Sequence, residues 1–336
     1  MRRLNATTPV LAAALLSGSA FAHHSMSMFD MSKVEVIEGK IARLEWTNPH
    51  MYLAIETKGP DGKPAIVEGE GLGITQALVD GLKREDLPPG TPVVVRVNPN
   101  RSGWGKQVRI LDVTTQDGEI HPFYAANTRT RVLTPAASIA GHWAPNRAST
   151  GAAFGAMAAF PLNADAKAVQ AKDLGDGLCY VEPAPFGAIL DEVRTIEVGE
   201  NEVVMKFDNT GDHFERIVHM TATHPANVEA TQHGHSIGRW DGDTLVVDTV
   251  AFTPDRSGLG ASVPSGPAKH TVERFALTPD KVHLRYEITV EDPMYLTAPA
   301  MLTQQWDHRP DLEFSQDVGK CDPEVANRYK DSVPKQ

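Results

Sequence analysis

The chain has 336 residues, of which 41% are hydrophobic and 22% charged, and its formal net charge is −11 at neutral pH. This acidic balance argues against nucleic acid and anionic membrane surfaces as partners, because both repel a negatively charged protein. After the N-terminal segment, no stretch approaches the ~18 consecutive apolar residues of a membrane helix, so we expect no membrane span. The length favours two domains.

Residues 1–22 have the pattern of a secretory signal peptide. Arg2 and Arg3 form a basic start, residues 10–16 are apolar, and Ala20-Phe21-Ala22 is a small-residue cleavage site. We therefore expect cleavage after Ala22 and export to the periplasm. Loss of the two arginines, with no acidic residue, would change the net charge from −11 to −13.

After a polar lead at 23–32, residues 33–115 predict a small β-domain. Ile74, Leu78 and Leu82 recur at helical spacing, which predicts one short helix between the third and fourth strands. Three strands, a helix and two strands is the element order of an OB-fold, a five-stranded barrel. Eleven Lys and Arg balance eleven Asp and Glu, so the basic surface of a nucleic-acid-binding OB-fold is missing. The predicted strands are 34–44, 50–57, 65–70, 93–97 and 107–113.

A second β-domain is predicted at 138–325, after a linker at 116–137 and before a tail at 326–336. Asp241-Gly242 is a strong hairpin signal, because this turn needs positive φ. Nine short strands joined mostly by turns predict an up-and-down barrel or a strongly curved sheet. We expect a lipocalin-like barrel, which can enclose one small ligand. The fold class is therefore all-β, mainly antiparallel, with an OB-like domain followed by a larger barrel. The candidate strands are 193–198, 202–207, 214–220, 236–240, 244–252, 270–277, 282–290, 300–306 and 312–318.

Both halves of the chain resemble groups of exported bacterial proteins of unknown function. The first pattern runs from Ala22-His23-His24-Ser25 through Trp46-Thr47-Asn48-Pro49-His50 to about Val113. The second is centred on residues 234–249, Gly-His-Ser-Ile-Gly-Arg-Trp-Asp-Gly-Asp-Thr-Leu-Val-Val-Asp-Thr. Its outlying members are Cys179, Pro183, His224-Pro225, His270, Val272-Glu273-Arg274, Glu291-Asp292-Pro293 and Cys321. Neither resemblance implies an established activity.

The two cysteines, Cys179 and Cys321, favour a disulfide, because an exported chain meets an oxidising compartment. The alternative is a pair of free thiols that serve as metal ligands.

The mature N-terminus is a candidate copper site. Cleavage after Ala22 makes His23 the first residue, so its α-amine and imidazole can chelate one ion. His50 or His24 would complete a planar nitrogen site, which suits Cu(II). The arrangement resembles the histidine brace of copper-dependent polysaccharide monooxygenases and periplasmic copper carriers. The alternative is an ordinary solvated terminus.

A second candidate site is a run of histidines in the larger domain. His233 and His235 are two residues apart, so in a strand they would share one face. The cluster is open to three interpretations: a zinc or iron site, acid–base catalysis, or structural histidines in a loop. Its members are His219, His224, His233 and His235, with His270 as a further candidate.

Two functions follow from these features. In the first, the exported protein binds a small apolar molecule in the barrel, contacted by Trp240, His235 and Arg239, and carries copper at its N-terminus. In the second, the barrel is an enzyme that acts on a small organic substrate. The catalytic candidates would then be His224, His235 and His270 with Asp248 or Glu273. Their convergence inside one pocket would favour the enzyme, and their scatter over the surface would count against it.

Overall fold

The computed structural model describes residues 28–48, 50–124, 132–170, 182–190, 193–208, 213–260, 262–312 and 324. The predicted signal peptide, His23, His24, Cys179 and Cys321 lie outside the described residues. Within the described part, the chain forms two β-barrels, as the strand pattern predicts.

The first barrel has the OB connectivity predicted from the element order. Its sheet runs in the order β3-β2-β1-β4-β5, and a parallel pairing of β3 with β5 at Gly69 and Val108 closes it. A Cβ at Gly69 would lie 2.5 Å from the side chain of Ile110, so glycine permits this close approach. A sixth strand pairs with β5 inside the segment expected to be a linker. The elements are β1 (Glu35–Glu45), β2 (Tyr52–Lys58), β3 (Pro64–Glu70), α1 (Ile74–Val79), a 3₁₀ turn (Arg84–Asp86), β4 (Pro92–Asn98), β5 (Val108–Thr115) and β6 (Ile120–Pro122).

The second barrel contains nine strands and three short helices pack around it. Its elements are β7 (Gly141–Pro145), α2 (Arg147–Ala158), α3 (Ala164–Gln170), α4 (Phe186–Ile189), β8 (Val193–Val198), β9 (Glu202–Asp208), β10 (His213–His219), β11 (His235–Asp241), β12 (Thr244–Val250), β13 (Asp255–Gly260), β14 (Val263–Ser265), β15 (His270–Leu277), β16 (His283–Glu291) and β17 (Ala300–His308). The closed order is β10-β11-β12-β15-β16-β17-β7-β8-β9, and β13 with β14 forms a separate hairpin. Neighbours in the barrel are antiparallel, except that β10 runs parallel to β11.

Eight of the nine predicted strands of this domain are present with small shifts of their ends. The ninth barrel strand is Gly141–Pro145, which pairs with both β17 and β8 and was not among the predicted strands. Only Leu312 of that predicted strand is described, and it lies outside any strand. The predicted turn between β11 and β12 is confirmed, and Gly242 there has φ +60°.

A buried ion pair lies inside the second barrel. Arg216 Nη1 donates to Glu273 Oε1 at 3.0 Å, and Nη2 contacts the other carboxylate oxygen. Arg216 also donates to the hydroxyls of Ser236 at 2.9 Å and Thr249 at 2.7 Å. The Tyr286 hydroxyl donates to Glu273 at 3.0 Å. The charges are therefore paired and hydrogen-bonded on all sides, which is what makes their burial tolerable.

We expect Glu273→Ala to lower the free energy of unfolding by about 3–5 kcal/mol, because Arg216 would be left buried without its counter-charge. The double variant Arg216→Met/Glu273→Leu removes both charges and should recover most of this loss. Urea denaturation followed by circular dichroism measures both effects. A loss below about 1 kcal/mol in the single variant would show that water reaches the pair.

Candidate functional site

The run of histidines is divided between the two sides of the barrel wall. Strand β11 begins at His235, and Gly234 before it adopts φ +71°. The turn at this glycine directs His233 into the end of the barrel, whereas His235 lies on the outside. The expectation that the two side chains share one face was therefore wrong, because the strand does not extend back to His233.

The pleat of the wall decides which residues face outward. In β12, Leu245, Val247 and Thr249 are fully buried, and Asp248 between them is half-exposed on the other face. The same alternation places His219 beside the inward-facing Val218 of β10. Six side chains that the sequence separates widely are thus brought together on the outer wall of adjacent strands. This outer-wall cluster consists of His219, His224, His235, Asp248, His270 and Glu291.

Hydrogen bonds join five members of the cluster into one chain. Asp248 contacts His224 Nε2 at 3.0 Å through one oxygen and His270 Nε2 at 3.1 Å through the other. His270 Nδ1 lies 3.4 Å from Glu291, and His224 Nδ1 lies 2.8 Å from His235 Nδ1. The sixth member, His219, stacks on the His235 ring at 5.0 Å between centroids.

This network assigns the protons on the imidazoles. The Asp248 carboxylate accepts from the Nε2–H of His224, so Nδ1 of His224 accepts the Nδ1–H of His235. The Nε2 atom of His235 then keeps its lone pair. His270 between two carboxylates is positioned to donate from both ring nitrogens.

The pKa values of the two terminal imidazoles are shifted in opposite directions. Burial, followed by the charges of His219 and His224, lowers the pKa of His235. Burial also acts to lower the pKa of His270, but hydrogen bonds and the charges of Asp248 and Glu291 outweigh it and raise that pKa. For Asp248, burial acts to raise the pKa, and the hydrogen bonds from His224 and His270 outweigh it and lower that pKa. One imidazole is thereby suited to accept a proton and the other to donate one.

The remaining predicted site residues do not join this cluster. Glu273 points into the barrel and binds Arg216, on the opposite side of the wall from Asp248. Arg239 and Trp240 are exposed near the far end of β11, and Trp240 is 44% exposed. Trp240, Arg239 and His235 are therefore spread along one strand. Glu291 becomes a partner of His270 because β15 and β16 pair in that register.

The interior of the second barrel is filled at the end where His233 enters. A cavity of about 20 Å³ is left there, room for about one water molecule. His233 stacks on Phe214 at 4.2 Å between centroids, and Phe214 stacks on Phe207 at 4.6 Å. A ligand-sized pocket at this position would require His233 to move. This end cavity is lined by Glu182, Ala184, Ala188, Phe207, Phe214, Arg216, His233 and Phe252.

His50 is the one predicted copper ligand within the described residues. Its Nδ1 lies 3.1 Å from the carbonyl of Gly71, to which it donates, so Nε2 keeps its lone pair. The neighbouring Asn48 is buried and accepts the N–H of Ile74 at the start of α1, which anchors this stretch. Glu70 and Tyr124, which the sequence did not indicate, lie 3.7 Å and 3.3 Å from Nδ1 of His50. Nowhere in the described part do three or more His, Cys, Asp or Glu side chains lie where they could hold one metal ion.

Comparison with known proteins bears on the first barrel alone. Residues 11–109 match the model of a family of unknown function, DUF6152. This stretch reaches from before the described residues to the start of β5, and the second barrel lies outside it. No curated protein matches the chain. A search of the described helices finds none with the length and apolarity to cross a membrane.

The burial of His233 makes the stability of the second barrel depend on pH. Burial, followed by the charges of Arg216 and Lys269, lowers the pKa of His233 from 6.5 to about 4. The unfolded chain protonates His233 more readily than the folded chain does. The contribution of neutral His233 to the free energy of unfolding is therefore fully present above pH 6.5, and about 3 kcal/mol is lost as the pH falls towards 4. His233→Phe should keep the stack on Phe214 and flatten this dependence.

Urea denaturation at pH 7 and at pH 4.5 measures the difference between the two proteins. His219→Phe, on the outer wall, is the control and should retain most of the wild-type dependence. An identical pH dependence in His233→Phe and the wild type would contradict the assignment.

Proposed function

We propose that the second barrel is an acid–base catalyst for a small organic substrate and that the outer-wall cluster is its site. The observation that carries this proposal is the continuous hydrogen-bonded chain from Glu291 through His270, Asp248 and His224 to His235. In a structural role, surface histidines do not need opposite pKa shifts, whereas a catalyst needs one acid and one base.

The roles follow from the assigned protons. His235 is the general base, because its Nε2 lone pair is not used within the cluster. When His235 accepts a proton, its hydrogen bond to His224, and that of His224 to Asp248, stabilise the imidazolium. His270 is the general acid, since the two carboxylates that flank it favour its protonated form. The proton that it would give to a substrate is the one on Nδ1, because the 3.4 Å contact of Nδ1 with Glu291 is the longer of its two contacts.

The surface beside these groups fits an organic substrate. Ile237 pairs with His219 on one side and with Asp248 on the other, so it lies between the two polar groups. Ile217 on β10 is 43% exposed on the same face. The outer wall therefore offers apolar contact area next to the acid and the base.

The hydrolysis of p-nitrophenyl acetate tests the base directly, because an imidazole that activates water cleaves this ester. We expect His235→Gln to reduce the rate by about 10²–10⁴-fold. The rate should rise with pH through the lowered pKa of His235 and then level off, because p-nitrophenolate leaves without a proton from His270. Arg239→Gln, on the same strand, is the matched control and should keep the wild-type profile.

NMR titration provides a second measurement that does not depend on the substrate. Asp248→Asn should bring the pKa of His270 down, because a charged hydrogen-bond partner is removed. Unchanged titration of His270 in that variant, together with equal ester hydrolysis by His235→Gln and the wild type, would eliminate this function.

A second proposal concerns the first barrel, and it rests on the free Nε2 of His50. Metal-binding histidines commonly donate their other ring nitrogen to a carbonyl, and His50 does so to Gly71. Phe29 forms a β-bridge with Asn100, and the Asn100 side chain donates to the backbone carbonyl of Gln107. The Gln107 side chain donates to Glu70, which lies 3.7 Å from His50. The start of the described chain therefore lies at the end of the barrel that carries His50.

The copper proposal needs export and cleavage after Ala22. His23 precedes Phe29 by six residues, which can span at most about 20 Å when extended. The α-amine and ring of His23, with His24 or His50 as the further imidazole, would then hold Cu(II) through nitrogen. The ion would serve binding or redox chemistry at that terminus.

The processed N-terminus makes this second proposal testable. A protein that begins at His23 should bind one Cu(II), with a spectrum of nitrogen ligation, and His50→Ala should bind it more weakly. A protein with one extra residue before His23 keeps every side chain but loses the chelating amine. Binding should also weaken below about pH 6, where imidazole is protonated. Equal copper affinity of the processed and extended proteins would eliminate the site.

A further inference from the structure

A buried ammonium group without a carboxylate partner lies beside the end cavity. Lys269 is 1% exposed, and its Nζ donates to the carbonyls of Ala184 at 3.0 Å and Gly258 at 3.2 Å. The Phe252 ring lies 4.1 Å from Nζ. Among the described residues no carboxylate comes within salt-bridge distance of it. Burial of a charge without a counter-ion is unfavourable, so Lys269 lowers the stability of the fold.

A hydroxyl group without a partner lies next to this ammonium. Ser265 is 2% exposed, and its Oγ has no hydrogen-bond partner among the described residues. A Cβ built on Gly258 would be 1.9 Å from Ser265 Oγ and 3.2 Å from Lys269 Nζ, which places both atoms around one point. Two of the three ammonium protons are used by carbonyls. The ammonium has no third oxygen acceptor in the described chain, where the Phe252 ring is its remaining contact, and the Ser265 hydroxyl has no hydrogen-bond partner there.

The end cavity lies one layer of residues away from this pair of donors, neither of which is among its lining residues. Ala184 and Phe252, which both contact Lys269, are also lining residues of the cavity. Phe214 presents a flat apolar surface there, and the His233 ring lies parallel to it with an interplanar angle of 10°. His233 has no hydrogen bond among the described residues, so only packing holds its ring in place.

We propose that the end cavity binds a small aromatic monocarboxylate, whose ring takes the place of His233 on Phe214 and whose carboxylate accepts from Lys269 and Ser265. The aromatic walls favour a ring, and the two unused donors favour an oxygen acceptor with negative charge. The proposal goes beyond the acid–base function and uses none of the residues of the outer-wall cluster.

The charges around Lys269 give this site a distinct pH dependence. Burial is the largest influence on the pKa of Lys269 and lowers it to about 8. This pKa is raised at longer range by three carboxylates, Asp255, Asp292 and Glu273, and lowered by Arg216. The nearer carboxylates are engaged elsewhere: Asp292 with the N–H of Gly266, and Asp255 with Gln232. A bound carboxylate would raise the Lys269 pKa. Binding should therefore take up a proton near pH 8, and affinity should fall as the pH rises above 8.

Isothermal titration calorimetry with benzoate, on the full chain, tests the site. Benzamide has the same shape without the charge and should bind at least about tenfold more weakly. Lys269→Met should weaken benzoate binding by about tenfold or more, and Ser265→Ala by a smaller factor. Arg274→Met, at an exposed ion pair, is the matched control and should bind as the wild type does. His233→Ala should bind more tightly, because the place of the ring is already vacant.

The melting temperature distinguishes a ligand group from a structural one. Lys269→Met removes a buried charge that has no counter-ion, so its melting temperature should equal or exceed that of the wild type. A large decrease would show that Lys269 is an anchor for the carbonyls of Ala184 and Gly258, and it would overturn the proposal. So would equal benzoate affinity in Lys269→Met and the wild type, no benzoate binding by either the wild type or His233→Ala, or an affinity that is constant from pH 7 to pH 10.

Discussion

Strand β12 joins the two polar systems of the second barrel back to back. Thr249 faces inward and accepts from Arg216, and Asp248, the next residue, faces outward and bridges His224 and His270. Because side chains alternate across the wall, a slip of one residue would exchange these two environments. The geometry of the outer cluster therefore depends on the register that the interior enforces. Within that register, every hydrogen-bonding group of the Arg216–Glu273 pair meets a partner, and a shifted strand would leave some of them buried without one.

The regular parts of both barrels could be predicted because they follow a period of two. The alternating strands of the OB-like domain, and most strands after Val193, are half-buried and show this pattern clearly. Strand β7 is only five residues long, Gly141–Pro145, and two of its positions are Gly and Pro. Such a segment has too few side chains to display alternation. It closes the barrel through its pairing with β8 and β17, which is a property of the assembled sheet.

The candidate sites were only partly predictable for a related reason. The types of residue, and the grouping of His224, His235, His270 and Asp248, could be inferred from the sequence. The backbone angle of one residue, Gly234, separates His233 from this group, and a two-residue spacing contains no information about that angle. Lys269 could not be identified as a buried residue from the sequence, because a lysine next to a histidine is expected at the surface. Its burial results from a segment distant in sequence, Ala184, and from the hairpin that contains Gly258.

The three candidate sites differ in what they demand of the fold, and this difference bears on their roles. The outer-wall cluster is partly solvated and its charges are mutually satisfied, so it adds little strain to the barrel. His50 contacts the carbonyl of Gly71, Tyr124 and Glu70 through Nδ1 and leaves its other ring nitrogen available. Lys269 is the group that lowers the stability of the fold, because its charge is buried and is met by carbonyl dipoles and an aromatic face instead of a carboxylate. A leucine or methionine at that position would satisfy the packing at lower cost.

Groups that a fold retains against its own stability are more often explained by binding than by architecture. Lys269 is therefore the residue whose presence is hardest to explain without a ligand, more so than the histidines of the other two sites.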